Sequence, residues 1–171
     1  DHLSEFATIL FGELDGSATR RAERLMAALK EASIDAKIAD DIDKTIWRKF
    51  IFVVGLSALT SVTRKTIGPL REDADCRALL SQLLTEAAAV ARAGGVALDE
   101  DTVEDRLTFI DGLPTSMTSS MAGDLTRGNR LELEWLSGAV VRMGRERGID
   151  TPANGFIHTA LKLSASGGHE S

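Results

Sequence analysis

Apolar and polar positions change rhythm several times along this chain. Ala7 to Phe11 is a short unbroken apolar run ended by Gly12, which predicts a buried strand. Gly12 to Ser17 carries turn chemistry, with Ser17 as the expected N-cap of a helix. From Ala18 to Ala32, apolar residues recur at Ala22, Leu25, Met26, Leu29 and Ala32, the spacing of an amphipathic helix. Ile34 to Ala39 reads as a second strand. Strand, helix and strand form a fragment of an α/β layer. Two strands alone make no stable sheet, so this unit leans on later helices or on further strands.

After Ile42 no strand signal returns. From Ile42 to Val62 the apolar residues cover every side of a helical wheel, which predicts a buried helix with Asp43 capping its start. Thr66-Ile67-Gly68-Pro69 reads as a breaker. Asp73 or Asp75 opens a helix that runs to Gly94-Gly95, where a left-handed cap is expected. Asp99 to Ile110 is a shorter helix closed by Asp111-Gly112-Leu113-Pro114, and Thr115 to Asp124 reads as a loop leading into a helix. Leu131 to Arg147 is predicted as one long helix, with Leu133, Leu136, Val140, Val141 and Met143 inward. Thr151-Pro152 is an N-cap followed by proline, starting a last helix to about Ser164, and the polar tail to Ser171 is expected to fray. The fold class is mainly α: a short βαβ piece over residues 1–42, then an all-helical bundle over residues 43–171.

Composition narrows the class. The 171 residues, 43% apolar, suffice for one packed core. Tyrosine is absent, so that core is aliphatic. A net charge of −6 argues against nucleic acid or an anionic membrane as the partner. No signal peptide is visible, and no unbroken apolar run reaches the ~18 residues of a membrane span. The single cysteine, Cys76, excludes an internal disulfide and fits a reducing, cytoplasmic setting.

Candidate chemistry rests on a few polar residues. Lys49 sits inside the most apolar stretch of the chain, where an ammonium either snorkels along its stem or needs a partner. Ser119 or Ser120 and Asp124 have capping as their ordinary explanation. Glu132 and Glu134 have the ordinary explanation of helix-start or solvated carboxylates. His2, His158 and His169 show no metal-ligand spacing. Gly12 and Gly16 lack the third glycine of a dinucleotide turn.

Taken jointly, the polar residues form an ordered set. Trp47-x-Lys49 comes first, then Ser119-Ser120-Met121-x-x-Asp124, then Arg130-x-Glu132-x-Glu134-x-x-x-Gly138, and finally Gly148-Ile149-x-Thr151-Pro152-x-Asn154. In that order they resemble the C-terminal half of ketopantoate reductases (2-dehydropantoate 2-reductases). Gly12 to Gly16 and Asp41-Ile42 resemble the end of that family's nucleotide-binding domain. The resemblance implies a helical domain like the C-terminal domain of 6-phosphogluconate dehydrogenase. It also implies reduction of a 2-keto acid, ketopantoate to pantoate, with hydride from NADPH.

By position, Lys49 matches the family's catalytic general acid, Glu132 the glutamate that holds substrate and lysine, and Ser120 the serine at the substrate carboxylate. The family's asparagines one and two turns beyond the lysine are Val53 and Ser57 here, which opens the question of another 2-keto acid. The resemblance also implies that the main nucleotide site lies outside these residues, so this chain alone is not expected to turn over. A homodimer is compatible with this reading. The competing reading is a non-catalytic helical module in which Lys49 and Glu132 form a structural ion pair.

Overall fold

A computed structural model of the chain describes residues 8–168. By internal contacts it divides into two units, Asp1–Ile46 and Trp47–Ser171. In the first, strands β1 (Ile9–Phe11) and β2 (Ala36–Ile38) pair in parallel, with Ile9 opposite Ala36 and Phe11 opposite Ile38. Helix α1 (Arg20–Glu31) connects them. The strands are shorter than the apolar runs, and Ala7 lies outside the described residues. Burial is also less than predicted, since Ile9, Leu10 and Ile38 are 44%, 48% and 42% exposed. A two-stranded sheet covers too little of its own faces to hide them. Ser17 does not cap α1, because its hydroxyl is held by Asp15. Thr19 caps instead, accepting the Ala22 N–H at 3.3 Å.

Eight α-helices occur among the described residues. Helix α2 (Ile42–Thr63) begins in the first unit and runs into the second. Its cap is Asp41, not Asp43: the Asp41 carboxylate accepts the Lys44 N–H at 2.8 Å, just ahead of the position the sequence suggested. At 22 residues α2 is long and apolar enough to cross a membrane by length and composition, contrary to the expectation from unbroken runs. Half of that stretch is buried inside the protein, as in the core helix of a bundle.

The helical core gathers Ile51, Val54 and Leu59 of α2 with Leu80, Leu83, Leu84 and Val90 of α4 (Ala74–Ala93) and Ile110 of α5 (Thr102–Asp111). The break after α2 falls at residues 64–66, earlier than the Thr66–Pro69 expected, and Ile67–Pro69 already belong to α3 (Ile67–Glu72). Pro69 falls in the first turn, where its missing N–H has no intrahelical partner to lose. Asp73 caps α4, and Gly94 with left-handed Gly95 (φ +87°) ends it, as the sequence predicts. Arg71 closes α5 by donating to the carbonyls of Asp111 at 2.7 Å and Leu113 at 2.8 Å.

The segment from Leu131 to Arg147 is not one helix. A 3₁₀ turn (Leu133–Trp135) is followed by a break at Leu136 (φ −106°, ψ −103°) and then α7 (Ser137–Arg147). Leu131, Leu133 and Leu136 are all buried, and Leu131 and Leu133, two apart, could not share one face of a regular helix; Glu132 and Glu134 stay exposed. The tail does not simply fray. Helix α8 (Pro152–Leu161) leads into a second 3₁₀ turn (Lys162–Ser164). The Ala165 carbonyl then accepts the Leu131 N–H at 2.9 Å, and the Gly168 N–H reaches the Gly128 carbonyl at 2.9 Å. Residues 169–171 lie outside the described part.

Candidate active site

Lys49 stands on the second turn of α2, and the 3.6-residue period places Val53 one turn and Ser57 two turns further on the same stripe. Burial deepens along it: Lys49 is exposed, Val53 half-buried, and Ser57 3% exposed. The lysine is thus not enclosed. No ion pair among the described residues joins it to Glu132 or to another carboxylate. Of the two expectations for Lys49, snorkelling or a partner, its place on the outer face of α2 fits the first and leaves the ammonium solvated, which costs nothing in desolvation. Its neighbour Arg48 is the paired residue, reaching Asp105 at 2.8 Å and Asp99 at 3.4 Å.

One turn beyond Ser57, Thr60 ties the stripe to the other candidate serines. Its hydroxyl and that of Ser119 are 2.8 Å apart and buried, and Thr60 also donates to the Leu56 carbonyl at 2.7 Å. Ser119 in turn caps α6 (Ser120–Arg127), accepting the Ala122 N–H at 3.1 Å. Ser120, the first residue of α6, is therefore exposed beside the helix that bears Lys49, with the positive end of an eight-residue helix at its back. Sequence reading missed Thr60. It lies three turns beyond Lys49, so the helical period could have marked it.

Glu132 is exposed at the turn before Leu133, its carbonyl accepting the Trp135 N–H at 2.9 Å and the Leu136 N–H at 3.1 Å. Two anchors flank it. On one side the Leu131 N–H is held by Ala165; on the other, the Glu134 carboxylate meets His158 Nε2 at 2.8 Å. Gly138 leaves room for that pair, because a Cβ there would stand 3.0 Å from Glu134 Oε2 and 3.1 Å from His158 Cδ2. Asp124 is no cap; it bonds Arg127 at 2.7 Å and Asn129 at 3.0 Å, where the left-handed Gly128 (φ +69°) ends α6.

A hollow of about 350 Å³ is lined by Glu134, Gly138, Arg142, Arg145 and His158. Lys49, Val53, Ser57, Ser120 and Glu132 line none of it. Lys49 and Ser120 are both exposed, and the Thr60–Ser119 bond ties the start of α6 to α2 three turns, about 16 Å of helix, beyond Lys49, with half-buried Val53 on the stripe between. Taken singly, the start of α6 can receive a carboxylate and the exposed ammonium can give a proton to an oxygen.

The class this fold defines is a helical domain that follows a small βαβ piece in the chain, and its relatives say of which family. Residues 41–165 match the family described as ketopantoate reductase PanE/ApbA C terminal, and the chain belongs to that family. It is 28% identical over 156 residues to a 2-dehydropantoate 2-reductase of Archaeoglobus fulgidus, covering 91% of this chain and 52% of that protein. A dimeric ketopantoate reductase from Staphylococcus aureus superposes with a TM-score of 0.80 at 28% identity, covering 87% of this chain and 52% of the other. A D-mandelate dehydrogenase solved with NADH shares the fold, with a TM-score of 0.81 at 20% identity over 92% of this chain and 55% of the other. The chain spans about half the length of the curated relatives it matches.

Proposed function

We propose that this chain is the substrate-binding half of a nicotinamide-dependent 2-oxo acid reductase, with NADPH as donor and ketopantoate to pantoate as the reference reaction. In this reading residues 1–42 belong with a nucleotide-binding domain and residues 43–171 hold the substrate. The enzyme works in the cytoplasm, and a homodimer is the proposed assembly. The observation that carries the reading is the stripe of α2, in a chain of this family, linked by the Thr60–Ser119 bond to the start of α6.

The turn after β1 does not fit the phosphates of a dinucleotide. It presents Glu13 and Asp15, and Glu13 is already engaged by Arg21 and Thr19. A reduced nicotinamide supplies hydride in such a reduction, and only the proton side is assigned to this chain.

Ser120 and the N-terminal turn of α6 receive the substrate carboxylate. The Lys49 ammonium lies against the C2 carbonyl oxygen, opposes the negative charge that grows there, and passes its proton to it. The neutral amine then regains a proton from water, which its exposure permits. Glu132 orients the substrate and the lysine once they are bound. This demands that its loop approach Lys49 in the complex, since the two are unpaired without substrate.

The test is Lys49→Ala in the natural protein that carries this chain. Turnover of 2-oxo acids with NADPH should fall by about 10²–10⁴, the usual share of a general acid. Melting should shift within ~0.5 kcal/mol, as for other exposed side chains. Unchanged turnover would refute the assignment.

A further inference from the structure

We infer that the site on α2 selects 2-oxo acids whose side chain is wholly alkyl or aryl over those that carry a hydroxyl there. This rests on Lys49 and Ser120 holding the substrate, and deepens that reading.

Few polar atoms along the stripe are free to meet a substrate. Along α2 between Lys49 and Thr60 the partly exposed side chains are Phe50, Phe52 and Val53, none of which has a donor or acceptor. Phe50, beside Lys49, is likewise half-buried, and its ring is fixed edge-on to Trp47 with centroids 5.3 Å apart. Polar atoms on this side of the helix are either recessed or already bonded. Ser57 is 3% exposed. The Thr60 hydroxyl is shared between the Leu56 carbonyl and Ser119, and the Ser119 oxygen also serves the Ala122 N–H.

A substrate held by its carboxylate at Ser120 and by its carbonyl at Lys49 therefore lays its remaining carbons on hydrocarbon. Methyl or aryl groups gain by leaving water for Val53 and Phe50. A hydroxyl in the same place gives up water bonds on the side that faces α2 and finds no free donor or acceptor there. An apolar site rejects an added hydroxyl by a limited factor, not an absolute one.

Ketopantoate and 3,3-dimethyl-2-oxobutanoate form a matched pair that differs by one hydroxyl. With NADPH and the natural protein carrying this chain, kcat/KM should favour the dimethyl acid by about 10- to 100-fold. Val53→Asn should lower that ratio about tenfold or more, chiefly through KM, because the contact is made in ground and transition states alike. Val53→Thr, nearly isosteric, is the second variant should asparagine prevent folding, and it should move the ratio the same way. Equal or greater kcat/KM for ketopantoate in the unaltered protein, or a ratio unmoved in both variants, would overturn the inference. If that happens while turnover still requires Lys49, the parent reading stands alone. Failure to reduce either acid would overturn both.

Discussion

Helix α8 tests how far a local cap explains a helix start. Its N-cap position is Thr151, followed by Pro152, yet the Thr151 hydroxyl makes no cap bond. The free N–H groups are met from another helix. Glu86 of α4, 6% exposed, accepts the Ala153 N–H at 2.8 Å, the Asn154 N–H at 2.9 Å and Asn154 Nδ2 at 2.8 Å.

Glu86→Ala removes these three contacts, and a longer one from Gln82 Nε2 at 3.4 Å, and leaves buried donors unpaired. Hydrogen bonds to a charged group contribute about 1.5–3 kcal/mol each, but burying the carboxylate has its own cost, which the variant no longer bears. A net loss of about 2–4 kcal/mol is expected, between a lost cap and a broken buried pair. For a chain of this size that lowers Tm by roughly 5–15 °C. In urea titrations followed by far-ultraviolet circular dichroism, the midpoint should fall with an unchanged m-value. Thr151→Val, which removes only the hydroxyl, should cost less than ~0.5 kcal/mol, where a local cap would cost about 1. A Thr151→Val loss equal to that of Glu86→Ala would refute the tertiary cap.

Gly68→Ala would place a methyl 2.8 Å from Thr115 Cβ and 2.9 Å from the Thr115 carbonyl oxygen, which also accepts the Gly68 N–H. Because backbone cannot yield there, chemical denaturation should register a loss of about 1–3 kcal/mol; a neutral result would mean that the α3–Thr115 contact is looser than described. Acid should weaken both units. Glu13 is lowered from 4.5 to about 2, first by its bond to Arg21 and then by Thr19, and the Arg77 guanidinium holds Asp111 below its ordinary value. With depressed folded values, the unfolded chain binds more protons, so this stability is present above the ordinary carboxylate range and is lost as pH falls through the folded values. Melting temperature should therefore drop between about pH 4.5 and 2, and Arg77→Met should flatten the part due to Asp111; a flat profile in the unaltered chain would contradict this.

Much of this protein was legible in the order of its residues. Periodicity marked α1, α4 and α5, because an amphipathic helix writes its buried face into every third or fourth position, and Thr151-Pro152 marked the start of α8. Asp73 and Gly94-Gly95 marked the ends of α4, because capping is a local bond. Lys49, Ser120 and the motif around Glu132 stood out as residues whose spacing matched a family, and Val53 and Ser57 as departures from it. What the sequence could not state was which partner a group would find across the fold. Leu133 to Arg147 carries helical spacing, yet the helix breaks at Leu136, and the burial of both Leu131 and Leu133, two residues apart, is something one regular helix could not give. Thr151 looked like a cap, but a carboxylate 65 positions earlier in the chain does its work. Lys49 looked buried from its neighbours, and is exposed because the unbroken burial of α2 begins only at Val54. Local bonds and periods are fixed by nearest neighbours; burial and long-range pairing depend on which helices pack together, and only the tertiary structure decides that.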